Sequence, residues 1–273
     1  MKLLAKLPIS VCMIAGNEES RIACALQSIV DWVAEIVVVL DARSTDQTEK
    51  IALSFGARVF REPWKGMIGQ ANSALEKCTH AWVFGLDADE VVSNALRESI
   101  VRLFAPGNQE RDSFSGFKFS RRTWFMGQWI LHGDWYPDTQ LRLFLKERGA
   151  WGGKEPHHKA VVRGKTTTIK GDLLHYSHSS LSDYLLKMDS FSRRAVEARD
   201  IAAAPSTGFT IAVRAVWRFF RAFVIRRGFL DGTIGFYLAL SQSFFTGHRH
   251  WSLREAALQS STPRLFGFST ANK

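Results

Sequence analysis

Cysteine is scarce in this chain of 273 residues. Cys12, Cys24 and Cys78 are an odd set of three with no paired or metal-type spacing. That excludes a disulfide-stapled scaffold and a cysteine zinc cluster, and it fits a reducing compartment. Glycine-rich phosphate loops are also missing. Neither G-x-x-x-x-G-K-[ST] nor G-x-G-x-x-G occurs at a strand end, so any nucleotide is held by another device. There is no internal repeat and no low-complexity tract. The longest apolar stretch, residues 229–246, is interrupted by Asp231, Gly232 and Gly235, too often to predict a spanning helix. It reads instead as a buried or interfacial hairpin partner. Near the start, Pro8 and Ser10 interrupt an apolar run, and residues 9–15 read as a first buried strand rather than a secretory leader.

What is present points to a globular enzyme-sized domain. Hydrophobic residues make up 46% and charged residues 23%, enough apolar surface for one large core with an appendage. The 36 basic and 26 acidic residues leave a net charge of +10. That sign calls for an anionic partner: nucleic acid, a phosphorylated substrate or an acidic membrane.

The first hundred residues alternate short apolar runs with helical spacing. Strands are predicted at 9–15, 35–40, 57–60 and 81–86, and helices at 19–29, 44–55, 66–77 and 93–104. Ser44 or Thr45 is the expected cap of the second helix and Ser93 of the fourth. This alternation predicts a parallel sheet covered on both faces, with ligands at the carboxyl ends of its strands. Strands follow at 113–120 and 141–145, with a hairpin over 161–169 turning at Arg163, Gly164 and Lys165. From Ser180 onward the chain reads as helical. The expected organisation is 1–105 as a nucleotide-binding α/β half, 106–178 as an acceptor-binding part of the same domain, and 179–273 as a helical, membrane-associated region.

The stretch Phe84-Gly85-Leu86-Asp87-Ala88-Asp89-Glu90 ends an apolar run in three acids. Unpaired buried carboxylates are costly, so the acids are either solvated or meet a positive partner. Asp87 and Asp89, one residue apart on a loop, can turn oxygens toward one hard cation such as Mg2+ or Mn2+. Such a cation would bridge and neutralise the diphosphate of a nucleotide-sugar. A bare D-x-D is a weak signal by itself, and a solvated cluster with Glu90 starting a helix is the plain alternative.

Context sharpens it. "PISVCMIAGNEESRIACALQSI", "EIVVVLDARSTDQTEKIA" and "WVFGLDADEVVS" resemble the N-terminal half of family 2 glycosyltransferases. "WYPDTQLRLF", "GDLLHYSHSSLSDYL" and "RRGFLDGTIGF" resemble its lipopolysaccharide-core β-glucosyltransferase branch. The resemblance runs from about Leu7 to Phe245. It implies the GT-A fold, a Rossmann-like, mostly parallel sheet with helices on both faces, here followed by C-terminal amphipathic helices. It also implies inversion at the anomeric carbon, a divalent metal, a UDP-sugar donor (glucose by analogy) and a lipid-linked or lipopolysaccharide-core acceptor.

Residue by residue, the resemblance implies that Asn17, Glu18 and Asp41 line the nucleotide pocket, with Asp46 in a loop or capping role. Asp87 and Asp89 match the metal–diphosphate motif, with Asp89 nearest the metal. Asp138 matches the base position, and Asp134, four residues earlier, competes with it. Gln140 and Arg142 follow on the same strand toward phosphate or acceptor. The aromatics from Trp124 to Tyr136, Trp135 among them, accompany the sugar site. His157 matches a family histidine that would complete a metal or diphosphate site, or else is a packing residue; His158 stands where glutamate is usual. Arg43 stands where relatives carry glycine, able to reshape the loop or reach a phosphate.

The positive charge concentrates late. Residues 193–227 hold eight arginines against Glu197 and Asp200. Arg214, Arg218 and Arg221 align on one helical face, with Val216, Trp217, Phe219, Phe220 and Phe223 opposite. That is the pattern of an interfacial helix on an anionic membrane, or of a helix packed on the catalytic domain. Aromatics do not interleave with the basic stripe, so no nucleic-acid partner is expected. The expected place is cytoplasmic, peripheral on the inner face of the bacterial cytoplasmic membrane. Two other readings remain: a non-catalytic membrane-associated binding module, and a nucleotidyltransferase on a related sheet.

Overall fold

β-Branched runs with short helices between them build the sheet that the alternation predicts. The computed structural model describes residues 6–155, 157–197 and 207–261. Strands β1 (Leu7–Ala15), β2 (Val33–Asp41), β3 (Arg58–Glu62) and β4 (Trp82–Gly85) are all parallel, in the order β3-β2-β1-β4. Successive side chains on a strand point to opposite faces. Ile9, Val11 and Met13 therefore join Leu26 of α1 (Ile22–Gln27) and Leu96 of α4 (Asn94–Leu103) in one core layer. Ala52 of α2 (Thr48–Ser54) lies in the same layer. Cys12, Val37 and Val39 face the other way, onto Ala71, Ala74 and Leu75 of α3 (Gly66–Lys77). Both faces are covered, as expected of a parallel sheet.

Beyond β4 the sheet becomes mixed. β5 (Glu90–Val92) and β6 (Gly116–Phe125) are followed by the two-residue β7 (Gln128–Trp129) and by β8 (Asp138–Leu145). With β11 (Thr166–His175) the order continues β4-β8-β6-β11-β5. β8 runs antiparallel to both β4 and β6, which places Asp138 at the same sheet edge as the carboxyl end of β4. β9 (Gly149–Lys154) and β10 (His157–Val162) form a separate antiparallel pair.

Three local expectations are corrected. Residues 161–169 are no hairpin: β10 pairs with β9, while β11 pairs with β6 and β5. Neither Ser44 nor Thr45 caps α2. The Ser44 hydroxyl instead accepts the Asn17 N–H, and Asp46 accepts the Thr48 N–H where the helix begins. Glu90 starts no helix; it opens β5. Ser93 does cap α4, accepting the Leu96 N–H at 3.2 Å.

The chain forms two compact units: residues up to Trp124 with Tyr136–Ser177, and Phe125–Trp135 with the chain from His178 on. The second is helical, with α5 (Leu181–Glu197), α6 (Gly208–Phe220) and the 30-residue α7 (Gly232–Ser261). Its core is Phe125, Ile130, Tyr184 and Leu238. The turn between α6 and α7 is fixed by Asp231. Its carboxylate accepts the His132 N–H at 2.9 Å and lies 2.8 Å from His132 Nδ1. The acid that interrupts the apolar stretch at 229–246 is therefore a buried clamp on the 125–135 segment. Asp200, from the arginine-rich stretch, lies outside the described residues. Among the described residues no helix is long and apolar enough to cross a membrane.

Candidate active site

The loops after β1 and β2 are stapled to each other, and this explains Asn17. It adopts a left-handed backbone, φ 55°, at which its side chain accepts the Thr45 N–H at 2.9 Å. The neighbouring Glu18 N–H donates to Thr48 Oγ1 at 2.7 Å, and the Glu19 N–H to Asp46 at 2.9 Å. Asp46 is thus a loop residue, one of the two roles open to it. The Glu18 carboxylate pairs with Arg21 at 2.7 Å.

Asp41 ends β2 as a nearly buried acid. Arg43 closes onto it with two of its nitrogens, the shorter contact 2.6 Å. The Arg43 hydrogen bond holds the Asp41 carboxyl below the usual carboxylate range. Arg43, where the resemblance expects glycine, therefore occupies the acid that the resemblance assigns to the nucleoside.

The three acids after β4 have three different environments. Asp87 accepts from Arg142 at 2.6 Å. Asp89 lies 3.4 Å from His175 Nε2 and 3.9 Å from Arg21. Burial works against the Asp89 charge, but His175 and Arg21 together hold the carboxyl below its ordinary range. Glu90 is 0% exposed, and burial pushes its carboxyl upward. It is retained because Arg142 reaches it at 2.9 Å and Arg121 at 3.4 Å.

Arg142, 5% exposed, is therefore shared between Asp87 and Glu90. Burial works against its charge, yet these two acids hold the guanidinium protonated well above its ordinary range. The ring of Trp151, on β9, lies 5.8 Å from Arg142. The same ring lies against Gly85, where a methyl group would come within 2.4 Å of it, so the last residue of β4 has to be glycine.

Asp138 completes the row. Arg121 contacts one of its oxygens at 2.7 Å, and the Gln140 amide donates to the other at 2.6 Å. A continuous ladder results: Asp87, Arg142, Glu90, Arg121, Asp138. It joins the acid after β4 to the acid that opens β8. Arg121 and Glu90 in the ladder, and His175 beside Asp89, are residues that sequence reasoning assigned no site role. Glu90 and His175 stood within motifs already noted, "DADE" and "GDLLHYSHSS"; Arg121, in "FSRRTWF", carried no such signal.

Two proposed residues belong to the helical unit. Asp134 lies in the helical unit, 5% exposed at its side chain, with Arg221 at 2.8 Å, Arg218 at 3.1 Å and Arg226 at 3.5 Å. Trp135 packs in that unit's core against Phe125 and Tyr184, with ring centroids 5.3 and 5.8 Å away. His157 opens β10, but its side chain lies outside the described residues.

The donor chemistry at β4 suits a hard divalent cation: two carboxylates one residue apart, with Asp89 kept ionised. Among the described residues no group of three or more His, Cys, Asp or Glu side chains converges as a metal cage. A cation there would draw its remaining ligands from phosphate oxygens and water, the usual habit of Mg2+.

Comparison with known proteins decides the family. Residues 10–161 match the family described as "Glycosyl transferase family 2". The chain belongs to glycosyl transferase family 2. An uncharacterized glycosyltransferase of Rickettsia typhi is 32% identical, covering 92% of this chain and 88% of that one. The lipopolysaccharide core biosynthesis glycosyltransferase LpsC of Rhizobium meliloti is also 32% identical, over 70% of this chain and 71% of that one. Among solved structures, the mannosyltransferase PcManGT of Pyrobaculum calidifontis, in complex with GDP-Man and Mn2+, is 13% identical with a TM-score of 0.53. It covers 94% of this chain and 88% of its own and shares the fold. This family 2 member is thus a glycosyltransferase of GT-A fold, as the resemblance implied.

Proposed function

We propose that the protein is an inverting, divalent-metal-dependent glycosyltransferase. It moves a sugar, glucose from UDP-glucose, onto a lipopolysaccharide-core or other lipid-linked glycan. It works in the cytoplasm, peripherally at the inner face of the cytoplasmic membrane. The observation that carries this reading is the ladder from Asp87 to Asp138, which sets the acids proposed for diphosphate binding and for the base at one end of the sheet. The kinship with a lipopolysaccharide core glycosyltransferase supports the acceptor class. The net charge of +10 suits an anionic membrane surface.

In this reading Asn17, Glu18 and Asp41 hold the nucleotide. Arg43 moves aside or turns to a phosphate as the nucleoside takes Asp41. Asp89 and Asp87 hold Mg2+ or Mn2+, which when bound supplies Lewis-acid neutralisation of the leaving diphosphate. Arg142 fixes the Asp87 carboxylate. Asp138 accepts the proton of the acceptor hydroxyl as its oxygen bonds to the anomeric carbon and the bond to the diphosphate breaks. What favours Asp138 over Asp134 is access. Asp138 is about one-third exposed and keeps acceptor capacity beyond Arg121 and Gln140, whereas Asp134 is buried among three arginines.

Asp138→Asn tests the assignment. It should abolish transfer while calorimetry with UDP and Mn2+ stays at the wild-type affinity. Transfer within about tenfold of wild type would remove Asp138 as base. Wild-type protein that binds glycan tightly without transfer would favour the binding-module reading.

A further inference from the structure

The α6–α7 pair meets largely through small residues, and apart from Ile211 and Leu238 it leaves many of its large apolar residues exposed. The Ser243 hydroxyl donates to the Ala215 carbonyl at 2.7 Å, Arg218 donates to Gln242 at 2.7 Å, and Arg214 meets His250 at 3.2 Å. These pairs set the helices antiparallel. The seam is lined by Ala215, Ala222, Ala239 and Gly247, and at its closed end a methyl group on Gly235 would lie 1.9 Å from the Gly228 carbonyl oxygen. Close approach through small residues with side-chain hydrogen bonds is how helices pack where the surroundings are as apolar as the side chains.

The other side carries the bulk. On α6 and the turn after it, Phe209, Val213, Val216, Phe220 and Val224 recur at helical spacing, with exposures of 80, 51, 68, 45 and 44%. On α7, Phe236, Leu240, Phe244 and Trp251 are 47, 51, 64 and 52% exposed. Phe236 touches Phe219 and Phe223, which flank the α6 stripe, with ring centroids 5.8 and 5.6 Å away. A helix pair that packs against water alone does the reverse. The arginine side of α6, read from sequence as membrane-facing or packed, is paired within the helical unit. Arg214, Arg218 and Arg221 are held by His250, Gln242 and Asp134.

We propose that this outward apolar face beds into the headgroup–acyl boundary of a phospholipid bilayer as an in-plane hairpin. The inference deepens the membrane-linked reading above, and lipid partitioning reads it without reference to transfer. Charge decides between lipid and a second copy of the chain. From Thr207 to Leu253 the sequence holds six arginines and one acid, the buried Asp231. Asp134 offsets part of this charge through Arg218, Arg221 and Arg226, and the remaining excess is positive: two copies of the hairpin would repel, whereas lipid phosphates complement it. No described helix is long and apolar enough to cross, so the hairpin lies in the plane.

The test is cosedimentation of the full chain with phosphatidylcholine–phosphatidylglycerol vesicles. Wild-type binding should persist at about 0.5 M salt, where surface charge is screened within ~4–5 Å. Val216→Ser with Trp217→Ser and Phe220→Ser should cut partitioning by more than about tenfold, with UDP affinity unchanged. Trp217→Phe keeps an apolar ring and the fold, and should lose part of the fluorescence quenching that brominated lipid causes in wild type. Salt-abolished binding, a triple variant that sediments like wild type, or equal quenching in the two proteins would each overturn the proposal. So would a wild-type dimer that the triple variant dissociates with vesicle binding unchanged.

Discussion

Replacing Arg142 by Met tests the ladder most directly. The change removes one guanidinium and keeps an apolar side chain of similar length. Glu90, 0% exposed, then keeps one cation, Arg121 at 3.4 Å, and the Asp87 N–H at 3.1 Å, and Asp87 loses its 2.6 Å partner. Breaking a buried ion pair by removing one member costs about 3–5 kcal/mol, because the remaining charge stays buried. Part of that cost falls on Asp87, which is partly exposed and can be solvated, so the figure belongs mainly to Glu90. The corresponding drop in melting temperature is roughly 10 °C for a unit of this size. Calorimetry on Arg142→Met, and on Arg142→Met combined with Glu90→Gln, reads it as a double-mutant cycle. The second substitution removes the stranded charge, so the double variant should recover at least about half of the loss. A single variant within ~1 kcal/mol of wild type, or a double variant no more stable than the single, would refute the argument that Glu90 is tolerated because Arg142 neutralises it.

Asp89→Ala should lower Mn2+-dependent release of UDP by at least about a hundredfold, and near-normal turnover would contradict its assignment. Stability in acid should depend on Glu35, on β2. Burial opposes its charge, but the Ser10 hydroxyl, the Thr79 N–H and Arg58 together lower its carboxyl from 4.5 to about 2. A depressed folded-state value stabilises the fold above pH ~4.5, and that stabilisation is lost as pH falls toward ~2. The full effect is about 3 kcal/mol, so the stability of Glu35→Gln should vary with pH less steeply than wild type across that window. Parallel acid titrations of the two proteins monitored by circular dichroism would read the difference.

Local pattern fixed the first half of the molecule. The β-branched run ending at Asp41, the Ser93 cap and the α3 boundaries follow from periodicity and capping, which act over a few residues. The family followed from motifs in order, because each motif answers a local backbone demand, such as the turn after β4 that carries Asp87 and Asp89. Pairing between distant strands was illegible. Residues 161–169 resemble a hairpin, and only the sheet shows that β11 runs to β6 and β5.

The site divided the same way. Its acids were visible as residue types, but what neutralises them was not. Arg142 reaches Asp87 across 55 positions, and Arg121 stands 17 positions from Asp138. A charge is paired or free according to which strand lies beside it, and strand neighbours are set by tertiary packing. Asp134 and Asp138 looked alike four residues apart; three arginines from the helical unit bury one of them. The arginines of α6 formed a basic stripe in sequence, yet Asp134, Gln242 and His250 occupy them. The amino-acid sequence by itself determined the alternation, the motifs and the sign of the charge. The tertiary structure decided which charges cancel and which apolar face stays open, because both depend on neighbours that lie far away along the chain.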